Sequence, residues 1–207
     1  MTTPKSNIPS RTSCLTLFES SSEMFIFMSG NKLLNPLMIF GKNKKPIMGG
    51  SAAVSGGASG AQAGTLSIMA SGSEEIVKSF KPYFDAIGSN TFYYGEEPGN
   101  SQVAKLVNNM ILGINMNAVA EGLKLANHYG LPQEEVVSLL KVSTGDSWVA
   151  RNWRDVSEWT ADTALAVLLK DLKAAYNEGL KHNVTLPFNA LSSIQLFDSM
   201  GKEKPKA

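Results

Sequence analysis

Three places in this chain combine residue types that could do chemistry. In the first, Lys105 is followed by two adjacent amides, Asn108 and Asn109. On a helix these stand three and four positions on, beside the amine, and asparagine is too poor a helix former to be there for propensity. An amine in a desolvated pocket becomes a usable proton acceptor near neutrality; the plainer alternative is a lysine near a helix start that snorkels to solvent. The second place is the run 49–64, GGSAAVSGGASGAQAG, in which the small apolar residues Ala52, Ala53 and Val54 enter Ser55-Gly56-Gly57. Without a Cβ, backbone N–H groups can converge on an anion; the alternative is a flexible linker. The loop leads straight into the alternating, strand-like run Thr65–Met69, and a glycine-rich turn held between strands is more often a site than a tether. The third is Lys170, whose spacing puts it beside Ala166, Ala174, Asn177 and Lys181, the pattern of a solvated face.

The element that must carry Lys105 is long. Residues 101–130 read as one helix, with Asn100 or Ser101 as N-cap after Gly99, and with Gly130 and Pro132 closing it. At about 1.5 Å per residue it spans roughly 45 Å. One stripe, Val103, Leu106, Val107, Met110, Ile111, Ile114, Ala118 and Leu125, has the spacing of a core face. The opposite stripe, Lys105, Asn109, Leu112, Met116, Val119 and Leu123, is apolar too, so the helix is expected to be packed on both sides, with Lys105 and Asn109 continuing a buried row. A charge placed there needs a partner or a purpose.

Around that helix, Ser73–Ile87 predicts a short helix with Ser73 as N-cap, open to interruption at Pro82, and Asn90–Gly95 predicts a strand. Residues 49–98 therefore give strand, glycine loop, strand, helix, strand, an α/β unit. Downstream everything is helical: Pro132–Lys141, Ser147–Trp153, Asp162–His182 with Leu165, Leu168, Leu169, Leu172, Tyr176 and Leu180 inward, and Pro187–Met200, then a charged tail from Lys202. Residues 1–48 give strand-like composition at Cys14–Phe18 and Met24–Met28 without a clear period, and no fold is assigned to them. Lys5 and Arg11 precede the first acid, Glu19, but lack the amphipathic arginine pattern of a transit peptide, so the first eighteen residues read as a frayed tail.

Composition removes several function classes. The 207 residues carry a net charge of +1, spread along the chain, which argues against nucleic-acid or membrane-surface binding. Apolar runs fall short of a membrane span. The single Cys14 rules out an internal disulfide and suits a reducing, cytoplasmic setting. With two histidines, both near expected helix ends, no metal site is expected. None of the eighteen glycines forms Gly-x-Gly-x-x-Gly, and the phosphate-loop pattern ending in Gly-Lys-Ser/Thr is absent as well.

Taken in order, Val54-Ser55-Gly56-Gly57, Gly60-Ala61, Ala63-Gly64-Thr65-Leu66, Lys105-Leu106-Val107-Asn108-Asn109 and Lys170-Asp171-Leu172 resemble the β-hydroxyacid dehydrogenases, which include 3-hydroxyisobutyrate dehydrogenase, tartronate semialdehyde reductase and 6-phosphogluconate dehydrogenase. Where members usually carry Asp-Ala-Pro-Val before the Ser-Gly-Gly turn, this chain has Ser51-Ala52-Ala53-Val54. The resemblance implies a mainly α chain: residues 1–48 unassigned, 49–99 the remnant of an NAD(P)-binding α/β domain with a substrate loop, and 100–207 a helical domain of NAD-binding-like and dimerisation type. It implies NAD or NADP as cofactor and a small hydroxyacid as substrate. Ser55, Gly56 and Gly57 would grip the substrate carboxylate, Lys105 would be the acid/base group, Asn109 would orient the substrate, and Lys170 would reach the cofactor, against its solvated spacing. Because residues 1–48 do not resemble a Rossmann unit, the expectation is an N-terminally truncated member working as a homo-oligomer or with a separate Rossmann-containing chain. A non-catalytic helical oligomerisation module derived from such an enzyme is the other expectation.

Overall fold

The structure, a computed structural model, describes residues 39–40, 46–47 and 50–204. Cys14 and the expected strand-like segments at Cys14–Phe18 and Met24–Met28 lie outside the described residues. The chain divides into two compact units, residues 1–105 and 106–207, and the boundary falls inside a helix.

In the first unit, β1 (Ile39–Phe40) pairs antiparallel with β2 (Pro46–Ile47). A second sheet has the order β3 (Gly50–Ser55), β4 (Leu66–Gly72), β5 (Gly88–Tyr93), with β3 antiparallel and β5 parallel to β4. Strand alternation sorts the sheet into two faces. Ala52, Val54, Ile68 and Ala70 pack with Ile76, Phe80 and Phe84. The other face presents the cross-strand pairs Ser51 with Ser71, Ala53 with Met69 and Ser55 with Ser67. Two local departures from the expected order have simple causes. The glycine-rich loop contains a helix, α1 (Gly57–Ala63), because after the turn the segment is mostly small residues that tolerate helical backbone. The helix expected at Ser73–Ile87 is two, α2 (Glu74–Ser79) and α3 (Lys81–Ile87), broken at Phe80; Pro82 then sits in the first turn of α3, where a missing N–H costs nothing. Ser73 is at the N-cap of α2 but makes no side-chain capping bond.

The long helix, α4, runs Asn100–His128 after Gly99, which has φ +110°. Gly130 closes it at φ +70° while Leu131 N–H returns to Ala126 O at 3.0 Å. Then follow α5 (Gln133–Leu140), α6 (Trp148–Arg151), α7 (Trp153–Val156), α8 (Ala164–Lys181) and α9 (Pro187–Met200). Ser147 caps α6, accepting from Ala150 N–H at 3.1 Å. The core of the second unit joins Met116, Val119 and Leu123 of α4 to Val149, Trp153, Leu165, Leu168, Leu172, Leu196 and Phe197.

Several expected core positions are outside. Val103, Val107, Ile111 and Leu125, from the α4 stripe expected to be core, are each about half exposed or more, as is Leu180 of α8; Tyr176 is exposed as well. Leu172 of α8 packs over Gly113, where a Cβ would stand 2.8 Å from Leu172 Cδ2, so the Gly113–Met116 side of α4 is the covered one and the bulkier aliphatic stripe is left uncovered. α9 is turned the same way: Asn189, Ser192 and Ser199 are buried with Leu196 and Phe197, whereas Phe188, Leu191 and Ile194 face out.

Candidate active site

The candidate residues are divided between the units. In the first, β3 delivers Ser55, partly buried, to a turn whose shape glycine dictates: Gly56 has φ +130° and Gly57 φ +64°, and a Cβ on Gly56 would press to 3.0 Å from Leu66 Cδ2. Gly60 N–H closes the turn on Gly56 O at 3.0 Å. At the far end of β3 lies a group of three serines that the sequence did not bring together. Ser51 Oγ bonds Ser71 Oγ at 3.0 Å and also Ser101 Oγ, and accepts from Gly99 N–H at 3.3 Å. Ser71 Oγ accepts from Ser101 N–H at 3.1 Å. All three serines are buried, Ser71 and Ser101 at 0 % exposure, and each satisfies the others. The signal was available in strand alternation, which sets Ser51 on the face of Ala53 and away from Ala52. Lys105, one turn beyond Ser101, is partly buried, and its amine enters no ion pair or hydrogen bond with the described residues of its unit.

In the second unit, Asn109 Nδ2 donates to Asp171 Oδ2 at 2.6 Å, and Asn109 Oδ1 accepts from Asn108 Nδ2 at 3.0 Å. Lys170 Nζ lies 3.4 Å from the other oxygen, Asp171 Oδ1, with nearly half of its own side chain exposed. The structure thus gathers Asn109 and Lys170 on one buried carboxylate, for which the sequence reading gave no role. Asp171 was legible as an acid on the inward stripe, three residues after Leu168 and beside Leu172. Among the described residues no group of three or more His, Cys, Asp and Glu could hold a metal, and no helix is long and apolar enough to cross a membrane. Away from these residues, Tyr93 donates its hydroxyl to Gly72 O at 2.9 Å; desolvation pushes its phenol above 10.0, with Glu96 and Glu74 adding to the shift.

Residues 99–206, more than half of the chain, match the family described as the NAD-binding domain of NADP-dependent 3-hydroxyisobutyrate dehydrogenase. The chain belongs to the 3-hydroxyisobutyrate dehydrogenase family. Residues 44–95 match the NAD-binding domain of 6-phosphogluconate dehydrogenase, so both matched pieces are of NAD(P)-binding type. The chain is 34% identical to 2-(hydroxymethyl)glutarate dehydrogenase of Eubacterium barkeri over 71% of its own length and 50% of that protein. Its fold matches the crystal structure of 3-hydroxyisobutyrate dehydrogenase from Salmonella typhimurium with a TM-score of 0.64 at 28% identity, covering 72% of this chain and 53% of that one. It also matches a structure of Psf3 in complex with NADP+ and 2-OPP, with a TM-score of 0.62 at 25% identity, over 71% of this chain and 52% of that one. The chain spans about half the length of the curated relatives it matches. The mainly α architecture expected from sequence, with a small α/β piece ahead of a helical domain, is the architecture observed.

Proposed function

We propose that this chain supplies the substrate-handling part of an NAD(P)-dependent 3-hydroxyacid dehydrogenase, which oxidises the hydroxyl of a small 3-hydroxyisobutyrate-like acid or reduces the corresponding semialdehyde. The observation that carries the reading is Lys105, a partly buried amine without a partner among the described residues of its unit, on a chain whose residues 99–206 match that family. Residues 49–99 act as the α/β piece and 100–207 as the helical domain.

In this reading the Ser55 hydroxyl and the backbone N–H groups of Gly56 and Gly57 hold the substrate carboxylate, as fixed donors aimed at a charge. Lys105 takes the proton from the substrate hydroxyl during oxidation and returns it during reduction. Asn109, held by Asp171 and Asn108, orients the substrate, and Lys170, with its exposed amine, is the residue assigned to reach the cofactor. The nicotinamide supplies the hydride acceptor. Of the described residues this reading assigns only Lys170 to the cofactor, and the sequence has no Gly-x-Gly-x-x-Gly turn to cradle a pyrophosphate. The working assembly is a homo-oligomer, or this chain with a separate Rossmann-containing one, acting away from nucleic acid and membranes.

The test is calorimetric titration with NADH and NADPH, with and without a supplied Rossmann domain, together with nicotinamide absorbance in the presence of 3-hydroxyisobutyrate-like acids. Binding and turnover in the supplemented sample are expected. No binding of either nucleotide under both conditions would favour a non-catalytic oligomerisation module. The outward apolar side chains of α4 and α9 favour self-association in either case, and light scattering is expected to give more than one copy per particle. A monomer at high concentration would remove that part of the reading.

A further inference from the structure

We propose that the hydroxyls of Ser51, Ser71 and Ser101 are positioning residues for Lys105, fixing the first turn of α4 on the face of the sheet that ends at Ser55. The inference rests on the reading of Lys105 as the acid/base group and adds how that amine is held. Ser101 and Lys105 are four residues apart on a helix, so they share a face one turn apart. Ser101 is at 0 % exposure, bonds Ser51 Oγ through its hydroxyl and donates its N–H to Ser71 Oγ at 3.1 Å, so that face of α4 is turned to the sheet. Ser51 and Ser55 are four apart on β3, and alternation puts them on the same side, with the buried Ala53 between them. The opposite side is filled by Phe80 and Phe84. The helix face that carries Lys105 and the strand face that carries Ser55 are therefore on one side of the sheet, tied by the serines.

The kind of tie matters. Apolar contacts hold a helix at a distance but leave it free to slide and rotate by fractions of an ångström. Hydrogen bonds have a preferred length and angle and remove that freedom. The bonds of Gly99 N–H to Ser51 and of Ser101 N–H to Ser71 also satisfy backbone donors at a helix start, where no intrahelical acceptor exists. The cluster thus sets height, tilt and rotation at the base of the turn from which the lysine projects.

Pulse acetylation of the full chain, read by mass spectrometry as the rate at Lys105 relative to the exposed Lys141 and Lys173, reports where this amine sits. Ser51→Ala and Ser71→Ala are each expected to move the ratio by about threefold or more, the scale of one lost hydrogen bond. Ser51→Thr, which keeps the hydroxyl, is expected to return the ratio toward that of the unaltered chain. Ser192→Ala, a buried serine of the other unit, leaves the ratio unchanged, separating position from general loss of stability. An unchanged ratio in folded Ser51→Ala and Ser71→Ala, or equal shifts in Ser51→Ala and Ser51→Thr, overturns the proposal. Should Ser51→Ala fail to fold, Ser101→Ala carries the same expectation and the same reversal. Failure of the dehydrogenase reading has a different signature: turnover that survives Lys105→Ala.

Discussion

Asn109 of α4 and Asp171 of α8 meet at 2.6 Å, a short amide-to-carboxylate bond across two helices sixty-two residues apart in sequence. The carboxylate is nearly out of solvent, its second oxygen 3.4 Å from the Lys170 amine, so most of what replaces water around it is this pair of partners.

Removing one partner should therefore be costly. Asn109→Ala is expected to lower the stability of the helical unit by about 1–3 kcal/mol, the penalty for a buried acceptor stripped of a donor. Trp148, Trp153 and Trp159 all lie in that unit, so urea unfolding followed by tryptophan fluorescence reads it directly. Adding Asp171→Ala to Asn109→Ala should cost less than the two single changes summed. Strict additivity would mean that the bond contributes nothing.

Lys105→Ala is expected to reduce turnover in the supplemented enzyme by about two to four orders of magnitude, the usual yield of a general acid/base, with the helical circular dichroism unchanged. Steady-state rates across a range of substrate concentrations check it. A variant as active as the parent would show that the proton goes elsewhere.

Gly113→Ala sets two effects against each other. Alanine gains about 1 kcal/mol of helix propensity over glycine. Its Cβ would lie 2.8 Å from Leu172 Cδ2, and Leu172 is fully buried and cannot swing away. Overpacking costs about 1–3 kcal/mol, so net destabilisation is expected in a thermal melt. Pairing the change with Leu172→Ala should recover part of the loss that Leu172→Ala causes alone. Stabilisation by Gly113→Ala alone would mean that α4 and α8 have room to separate.

The α/β unit should weaken in alkali. Tyr93 is held above 10.0, chiefly by desolvation, so past that pH the unfolded chain loses the phenolic proton first and stability falls until the folded phenol also ionises. Lys78 acts in the same direction: its hydrogen bond to Glu74 raises it above 10.5, and the stability this confers is present at lower pH and disappears as pH climbs through the raised value. Tyr93→Phe should flatten part of the alkaline slope, measured by circular dichroism melts with a parallel tyrosinate titration. A slope identical to that of the parent would assign the loss to other groups.

What the sequence disclosed depended on whether a signal was local. Caps, prolines and glycines mark ends, so α4, α8 and α9 were readable within a residue or two, and Pro187–Met200 to the residue. Face assignment was not local. Two aliphatic stripes on α4 look alike in one dimension, and which is covered depends on distant partners such as Leu172, Leu196 and Phe197. Lys105, Asn109 and the Ser55 turn were visible as unusual residue types at helical and loop spacing. Asp171 and the serines were harder, because an acid on a leucine stripe or a serine in a strand becomes informative only when its partner, many residues away, is known.

The three serines at the head of α4 have a further consequence for the conditions this chain can tolerate. A fastening made of neutral hydroxyls has no charge to screen and nothing to ionise in ordinary buffers, so neither salt nor mild acid loosens it. Ionic strength and acidity can then shift the charged groups of the α/β unit without disturbing the contact between the first turn of α4 and the sheet.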